Sequence, residues 1–174
     1  YDRTFIGISD PDFFGGLNTE LRYRNFDLNV FFQGIFGNRV DNVWKRESDL
    51  WNISVPSGKN HPTRLLGAWS FDNPNSDIPA ITNTTVNHEG RFSSYYIENG
   101  SYVKLRNIEL GYTVPNKLLK TLFISNLRFY FSAQNVLTLK KSWGKDRYTS
   151  FDPEMPGYGY LQPLTYTFGI NLKF

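Results

Sequence analysis

Apolar and polar residues alternate along five stretches of the chain, and the clearest is the last. Leu164, Tyr166, Phe168, Ile170, Leu172 and Phe174 are apolar, while Pro163, Thr165, Thr167, Gly169, Asn171 and Lys173 are not. At 40 % hydrophobic composition, one such window arises by chance roughly 2 × 10⁻⁴ of the time. Successive strand residues point to opposite faces, so the pattern predicts a strand over about 163–174 with one apolar face. Leu127, Phe129, Phe131 and Ala133 alternate with Arg128, Tyr130, Ser132 and Gln134, which predicts another over about 126–137.

Leu17, Thr19, Leu21 and Tyr23 interleave with Asn18, Glu20, Arg22 and Arg24, and the pattern resumes after Asn25 as Phe26, Leu28, Val30 and Phe32. Two strands, about 15–24 and 26–36, therefore meet at a tight turn of Arg24 and Asn25. In that register Tyr23 faces Phe26, Leu21 faces Leu28, and Arg22 lies opposite Asp27 on the other side. A fifth strand, about 101–114, changes phase: Val103 and Leu105 are apolar at odd positions, but Ile108, Leu110, Tyr112 and Val114 at even ones. One extra residue restores a common face, so a β-bulge is expected near Arg106 and Asn107.

The connections are asymmetric. Short links at 24–25 and 115–125 fall at one end of the strands, and long ones at about 37–100 and 138–162 at the other. Outer-membrane barrels have this form, with short periplasmic turns and long external loops. Twelve residues at about 3.3 Å each, tilted about 45°, rise roughly 28 Å, enough for an apolar band of about 25 Å. A short helical turn is expected over 117–123, after Pro115. Five antiparallel strands leave two open edges, and the chain begins at Tyr1 without initiator Met or apolar leader, so it reads as a piece of something longer. The alternative is a soluble carbohydrate-binding β-sandwich.

Composition changes this picture only in part. Phe 15, Tyr 11 and Trp 4 make up 17 % of the chain, an apolar endowment that argues against disorder. Mean hydropathy is −0.44, which reads as soluble, but lipid-facing and lumen-facing residues of membrane strands cancel in such averages. The net charge of +3 comes from scattered basic residues, so no nucleic-acid partner is expected. With no Cys, disulfides, thiolate metal sites and Cys nucleophiles are excluded. His61 and His88 lack a metal-ligand spacing, and Asp72 to Asp77 reads as a solvated Asx-rich turn rather than a calcium loop. No nucleophile elbow, phosphate loop or catalytic carboxylate pair is found, so neither an enzyme nor a cofactor is expected.

Four segments then resemble one family, the SusC/RagA-type TonB-dependent outer-membrane transporters of Bacteroidota. YRNFDLNVFFQGIFGNRVDN, from Tyr23 to Asn42, is similar to the family's YKNFDL hairpin with its FFQG strand. YYIENGSYVKLRNIELGYTVP, from Tyr95 to Pro115, resembles IEDGSYLRLKNLxLGYTLP. NLRFYFSAQNVLTL, from Asn126 to Leu139, resembles LRxYxSxQNLLTF, and Thr165 to Phe174 resembles the closing YTFGLNLxF. Asp152-Pro153-Glu154 resembles the DPE of the last external loop, with extra residues around 140–151.

The resemblance implies an all-β, antiparallel transmembrane barrel segment, the last five strands of a barrel of twenty-two, whose plug domain lies outside this chain. It implies energy-coupled import of oligosaccharides or peptides across the bacterial outer membrane. The implied partners are the rest of the barrel and plug, TonB acting through that plug, a SusD-like surface lipoprotein as lid, the insertion machinery and outer-membrane lipid.

Within that frame Thr167, Gly169, Leu172 and Phe174 fit the polar-x-Gly-x-x-apolar-x-apolar pattern of a C-terminal assembly signal. An exposed apolar edge strand of this kind is able to pair with a partner sheet. Trp44, Trp51, Trp69 and Trp143 all fall in the two long loops, as candidate contacts for substrate or lid, or as staples between loops. Tyr23, Phe26, Tyr112 and Phe174 collect at the short-link ends, where an interfacial aromatic girdle lies. Glu20, Arg22, Asp27, Asn29 and Gln33 are expected to face the lumen from the first hairpin. Arg128, Tyr130, Gln134, Thr165, Thr167, Asn171 and Lys173 are expected there from the last two strands.

Overall fold

A computed structural model describes residues 3–51, 60–81, 91–119, 123–142, 144, 146–157 and 159–174, the side chains of 50 and 51 excepted. The strands are β1 (Phe13–Tyr23), β2 (Phe26–Phe36), β3 (Arg39–Asp41), β4 (Ile97–Asn99), β5 (Tyr102–Thr113), β6 (Asn126–Lys140) and β7 (Thr165–Lys173). Five of them form one antiparallel sheet in the order β1-β2-β5-β6-β7, while β3 and β4 form a separate two-stranded ladder. The helical elements are short: α1 (Val43–Arg46), a π-turn at Glu47–Trp51, a 3₁₀ turn at Thr63–Gly67 and α2 (Asn116–Leu119).

Register explains why the sheet has two unlike faces. One row runs Tyr23, Phe26, Tyr112, Phe129, Ile170, and the next Leu21, Leu28, Leu110, Phe131, Phe168. Because period-two alternation is in phase across all five strands, every second row is apolar. Between them lie the rows Glu20, Asn29, Glu109, Ser132, Thr167 and Arg22, Asp27, Gly111, Tyr130, Gly169. The apolar face is open: Leu21 is 59 % and Phe168 80 % exposed. Phe26 and Tyr112 pack with ring centroids 4.8 Å apart in the row nearest the Arg24–Asn25 turn. Phe14, Phe31 and Ile35 depart from the pattern, standing on the otherwise polar face.

The phase change in β5 is a bulge at Arg106. Phe31 pairs with Asn107 but Phe32 with Leu105, which leaves Arg106 without a counterpart in β2. A second irregularity follows in β6, where Leu105 pairs with Leu137 and Asn107 with Gln134. Asn135 and Val136 stand there opposite Arg106, and Asn135 takes φ 56°, a left-handed conformation that Asn tolerates better than most residues. The alternation of β6 gives no sign of this, because two intercalated residues leave its parity unchanged.

Element ends differ from the sequence reading where backbone chemistry intervenes. β6 continues to Lys140, paired with Tyr102, past the expected end at 137. β7 starts at Thr165 rather than 163, since Pro163 has no N–H for a ladder and its carbonyl accepts from Asn135 Nδ2 at 3.1 Å. The helical turn after Pro115 covers Asn116–Leu119, earlier than 117–123, and residues 120–122 lie outside the described residues.

Candidate functional site

The polar face of the sheet is laced together by ion pairs whose space is made by glycine. Arg128 on β6 reaches across β5, donating from Nε to Asp27 Oδ1 at 3.0 Å, from Nη2 to Asp27 Oδ2, and from Nη2 to Glu109 Oε1 at 2.7 Å. The intervening β5 residue in that row is Gly111, and a Cβ there would sit inside 3.0 Å of both the guanidinium and the carboxylate. Arg22, opposite Asp27 in register, instead donates to Glu20 on its own strand at 2.8 Å. Expected lumen-facing residues thus share one face, but their ion pairs run along β1 and across β5 rather than between β1 and β2.

The second long connection folds back onto this wall through Asp152-Pro153-Glu154. Lys104, on the polar side of β5 and 4 % exposed in its side chain, donates to Asp152 Oδ2 at 2.6 Å and Glu154 Oε2 at 2.5 Å. The bulged Arg106 donates to Glu154, to Gln33 Oε1 at 2.8 Å and to Gln162 Oε1 at 2.6 Å. A buried ammonium is tolerated only when paired in this way. Burial raises the Glu154 carboxyl, but the hydrogen bonds and charges of Lys104 and Arg106 outweigh it and hold the group below its ordinary value.

Outside the wall, the two long connections share a polar core. Asn42, fully buried, donates from Nδ2 to Glu98 Oε2 at 2.7 Å and accepts at Oδ1 from Lys45 N at 3.0 Å and Ser150 Oγ at 2.7 Å. Glu98 also accepts from Thr149 N at 2.8 Å and pairs with Lys45 Nζ at 3.0 Å. Beside it, buried Asp49 accepts from Arg64 Nε at 3.0 Å and Tyr95 Oη at 2.9 Å. Desolvation, reinforced by the Asp49 charge, pushes the Tyr95 phenol well above its ordinary range, so it stays a donor.

Next to this core, Lys45, Tyr95 and Glu98 of the first connection and Asp146, Arg147 and Thr149 of the second line a cleft of about 610 Å³. Asp146 is held there by Arg39, by Asn99 Nδ2 at 3.0 Å and by Lys141 Nζ at 3.0 Å. Burial raises its carboxyl, yet these three hydrogen bonds win and bring it down to about 2.

The loop tryptophans do different things. Trp44 meets Phe151 edge-to-face at 6.0 Å and its backbone N–H donates to Pro156 O at 3.3 Å, so it joins the first connection to the second. Trp69, 39 % exposed, pairs with Phe71, 93 % exposed, at 5.4 Å. The Asx-rich turn that follows this pair is tied back across it by Asn73 Nδ2 and Ser76 Oγ, both donating to Gly67 O. The Trp51 side chain and Trp143 lie outside the described residues, as does His88.

Of the terminal-segment residues, Thr167 faces Ser132 on the polar side and Leu172 faces Leu127 on the apolar side. Gly169 faces Tyr130, and Phe174 lies just past β7 and is 85 % exposed. Sequence reasoning did not single out Asn42, Asp49, Glu98 or Lys104. Buried polar residues carry no periodic signal.

No protein-family model matches the chain. It is 35 % identical over 184 residues to the TonB-dependent receptor P3 of Formosa agariphila, an alignment covering 99 % of this chain and 17 % of that protein. It is 27 % identical to the TonB-dependent receptor SusC of Bacteroides thetaiotaomicron, over 91 % of this chain and 15 % of SusC. The fold matches the RagAB peptide importer in its "open-open" state with TM-score 0.74 and 27 % identity, over 97 % of this chain and 18 % of the RagAB chain. The chain therefore spans under a fifth of the length of these relatives. A five-stranded sheet, apolar on one face and polar on the other, superimposes on part of a transporter and aligns nearly end to end with named receptors; over almost its whole length the chain is similar to a barrel segment of the SusC/RagA-type TonB-dependent receptors.

Proposed function

We propose that the intact protein imports large nutrients, oligosaccharides or peptides, across the bacterial outer membrane, and that this segment supplies its final five strands and two external loops. The import is driven by TonB acting on a plug, and a SusD-like lipoprotein closes the outer side, as the family resemblance implies. One observation carries the reading. The apolar rows of the sheet remain exposed, Phe168 at 80 % and Ile170 at 63 %, while the opposite face is cross-linked by charge. Lipid covers the first face in a barrel, and a polar interior suits the second. Thr167, Gly169, Leu172 and Phe174 serve as the assembly signal, with Phe174 displayed at the edge for the insertion machinery. No residue is assigned a catalytic role.

The test is fractionation of the native source with an antibody to this segment. The expected product is a receptor-sized polypeptide in the outer membrane, extracted only by detergent, whose deletion abolishes uptake of a labelled oligosaccharide or peptide. A secreted, detergent-independent protein near 20.2 kDa would establish the soluble sandwich instead.

A further inference from the structure

Hydrophobic alternation does not by itself fix the register of β7. A slip of one residue turns every side chain to the wrong face, but a slip of two keeps apolar residues toward lipid and polar ones inward. Something else must choose among registers that differ by two.

The row Asp27, Gly111, Tyr130, Gly169 supplies it. Tyr130 on β6 stands between two glycines, one on each neighbouring strand, and each offers a floor without a Cβ. The Gly111 floor is already taken by the Arg128–Asp27 pair, against which a Cβ at Gly111 would collide. Arg128, fixed by Asp27 and Glu109, also sits 5.4 Å from the centre of the Tyr130 ring. The ring therefore lies over Gly169, so close that a Cβ there would fall inside 3.0 Å of Cζ, Cε1 and the phenol oxygen at once. Gly169 is the single glycine of β7. A slip of two brings Thr167 or Asn171 under the ring, and both carry the Cβ that the seat excludes.

We propose that Tyr130 sets the register of the terminal strand by seating its ring on Gly169, with Arg128, Asp27 and Glu109 holding the ring to that side. Gly169 is then needed as a seat, and not only as one letter of a signal read by the insertion machinery. The proposal extends the assembly reading given above and rests on it only in supposing that β7 is docked during insertion.

The experiment uses the intact receptor and measures its folded, heat-modifiable fraction in the outer membrane. Gly169→Ala is expected to lower that fraction about fivefold or more, as overpacking beside a ring predicts. Gly169→Ala combined with Tyr130→Ala is expected to recover to within about twofold of the parent, because two small residues pair without collision. This segment contains no Cys, so Ser132→Cys with Thr167→Cys reports native register and Ser132→Cys with Thr165→Cys a slip of two. The slipped cross-link is expected to rise in Gly169→Ala and fall again in the double variant. A Gly169→Ala receptor that assembles normally in native register overturns the proposal. So does a double variant no better than the single, an outcome that leaves the signal reading intact. Normal assembly of Phe174→Asp sinks the signal reading and does not touch the seat.

Discussion

Lys104 donates to Asp152 across 2.6 Å, from the polar face of β5 to a residue 48 positions later in the second long connection. With 4 % of the lysine side chain exposed, this is a buried ion pair, and its main effect is to fix where the loop lies. Lys104→Met keeps the packing volume but leaves the Asp152 carboxylate without its cation. Removing one partner of such a pair costs about 3 kcal/mol. Hydrogen exchange in the intact receptor is expected to show 146–157 losing protection while β5 and β6 keep theirs. Asp152→Asn, which retains an acceptor for Lys104, is expected to lose much less.

Acid should loosen the same loop. The Asp146 carboxyl lies at about 2, below its ordinary value near 4, and Glu154 is shifted in the same direction. A carboxyl depressed on folding adds stability above its unfolded value and loses it as the pH falls toward the folded one. Protection of 146–157 is thus expected to be flat from neutral pH to about 5 and to decline between about 4 and 2. Asp146→Asn is expected to flatten part of that decline, Asn99 and Lys141 then facing a group that does not titrate. An unchanged profile would show that these hydrogen bonds do not anchor the loop.

How far the sequence carries the reader depends on whether a feature is periodic. Leu164 to Phe174 declares its face in every second residue, and the Arg106 bulge is visible because a phase change has no other simple cause. The irregularity at Asn135 is hidden by its even length, although matching the rows of β5 and β6 across Arg106 would have required it. The loop core escapes for a different reason. Asn42, Glu98 and Thr149 are brought together by chain paths of 56 and 51 residues, and no local pattern encodes that meeting. The role of Gly169 is likewise invisible until Tyr130 is placed above it.

Tyr95 and Asp49 give an alkaline counterpart. The phenol is pushed up by burial and by the carboxylate that accepts its hydrogen bond at 2.9 Å. A tyrosine raised on folding stabilises below its unfolded value, about 10, and that contribution fades as the pH rises above it. Tyr95→Phe is expected to cost about 1 kcal/mol at neutral pH, because Arg64 still holds Asp49. It should also blunt the loss of loop protection above about pH 10. An equal alkaline loss in the variant would assign that sensitivity to another group.

The loop tryptophans separate packing from recognition. Trp44 braces Phe151 edge-on from the other connection, so Trp44→Ala is expected to reduce loop protection by about 2 kcal/mol, with affinity falling as a consequence. Trp69 and Phe71 form a ring pair facing outward, on a turn held by backbone and Asn73 hydrogen bonds that neither ring makes. Trp69→Ala and Phe71→Ala are therefore expected to leave hydrogen exchange at parental levels. If the pair contacts nutrient or lid, each substitution should weaken that affinity about tenfold, the scale of an aromatic anchor at an interface. Measuring both affinities on one receptor decides which partner the rings meet. Parental affinity for both, with protection unchanged, would leave Trp69 and Phe71 as solvent-exposed rings without a binding role.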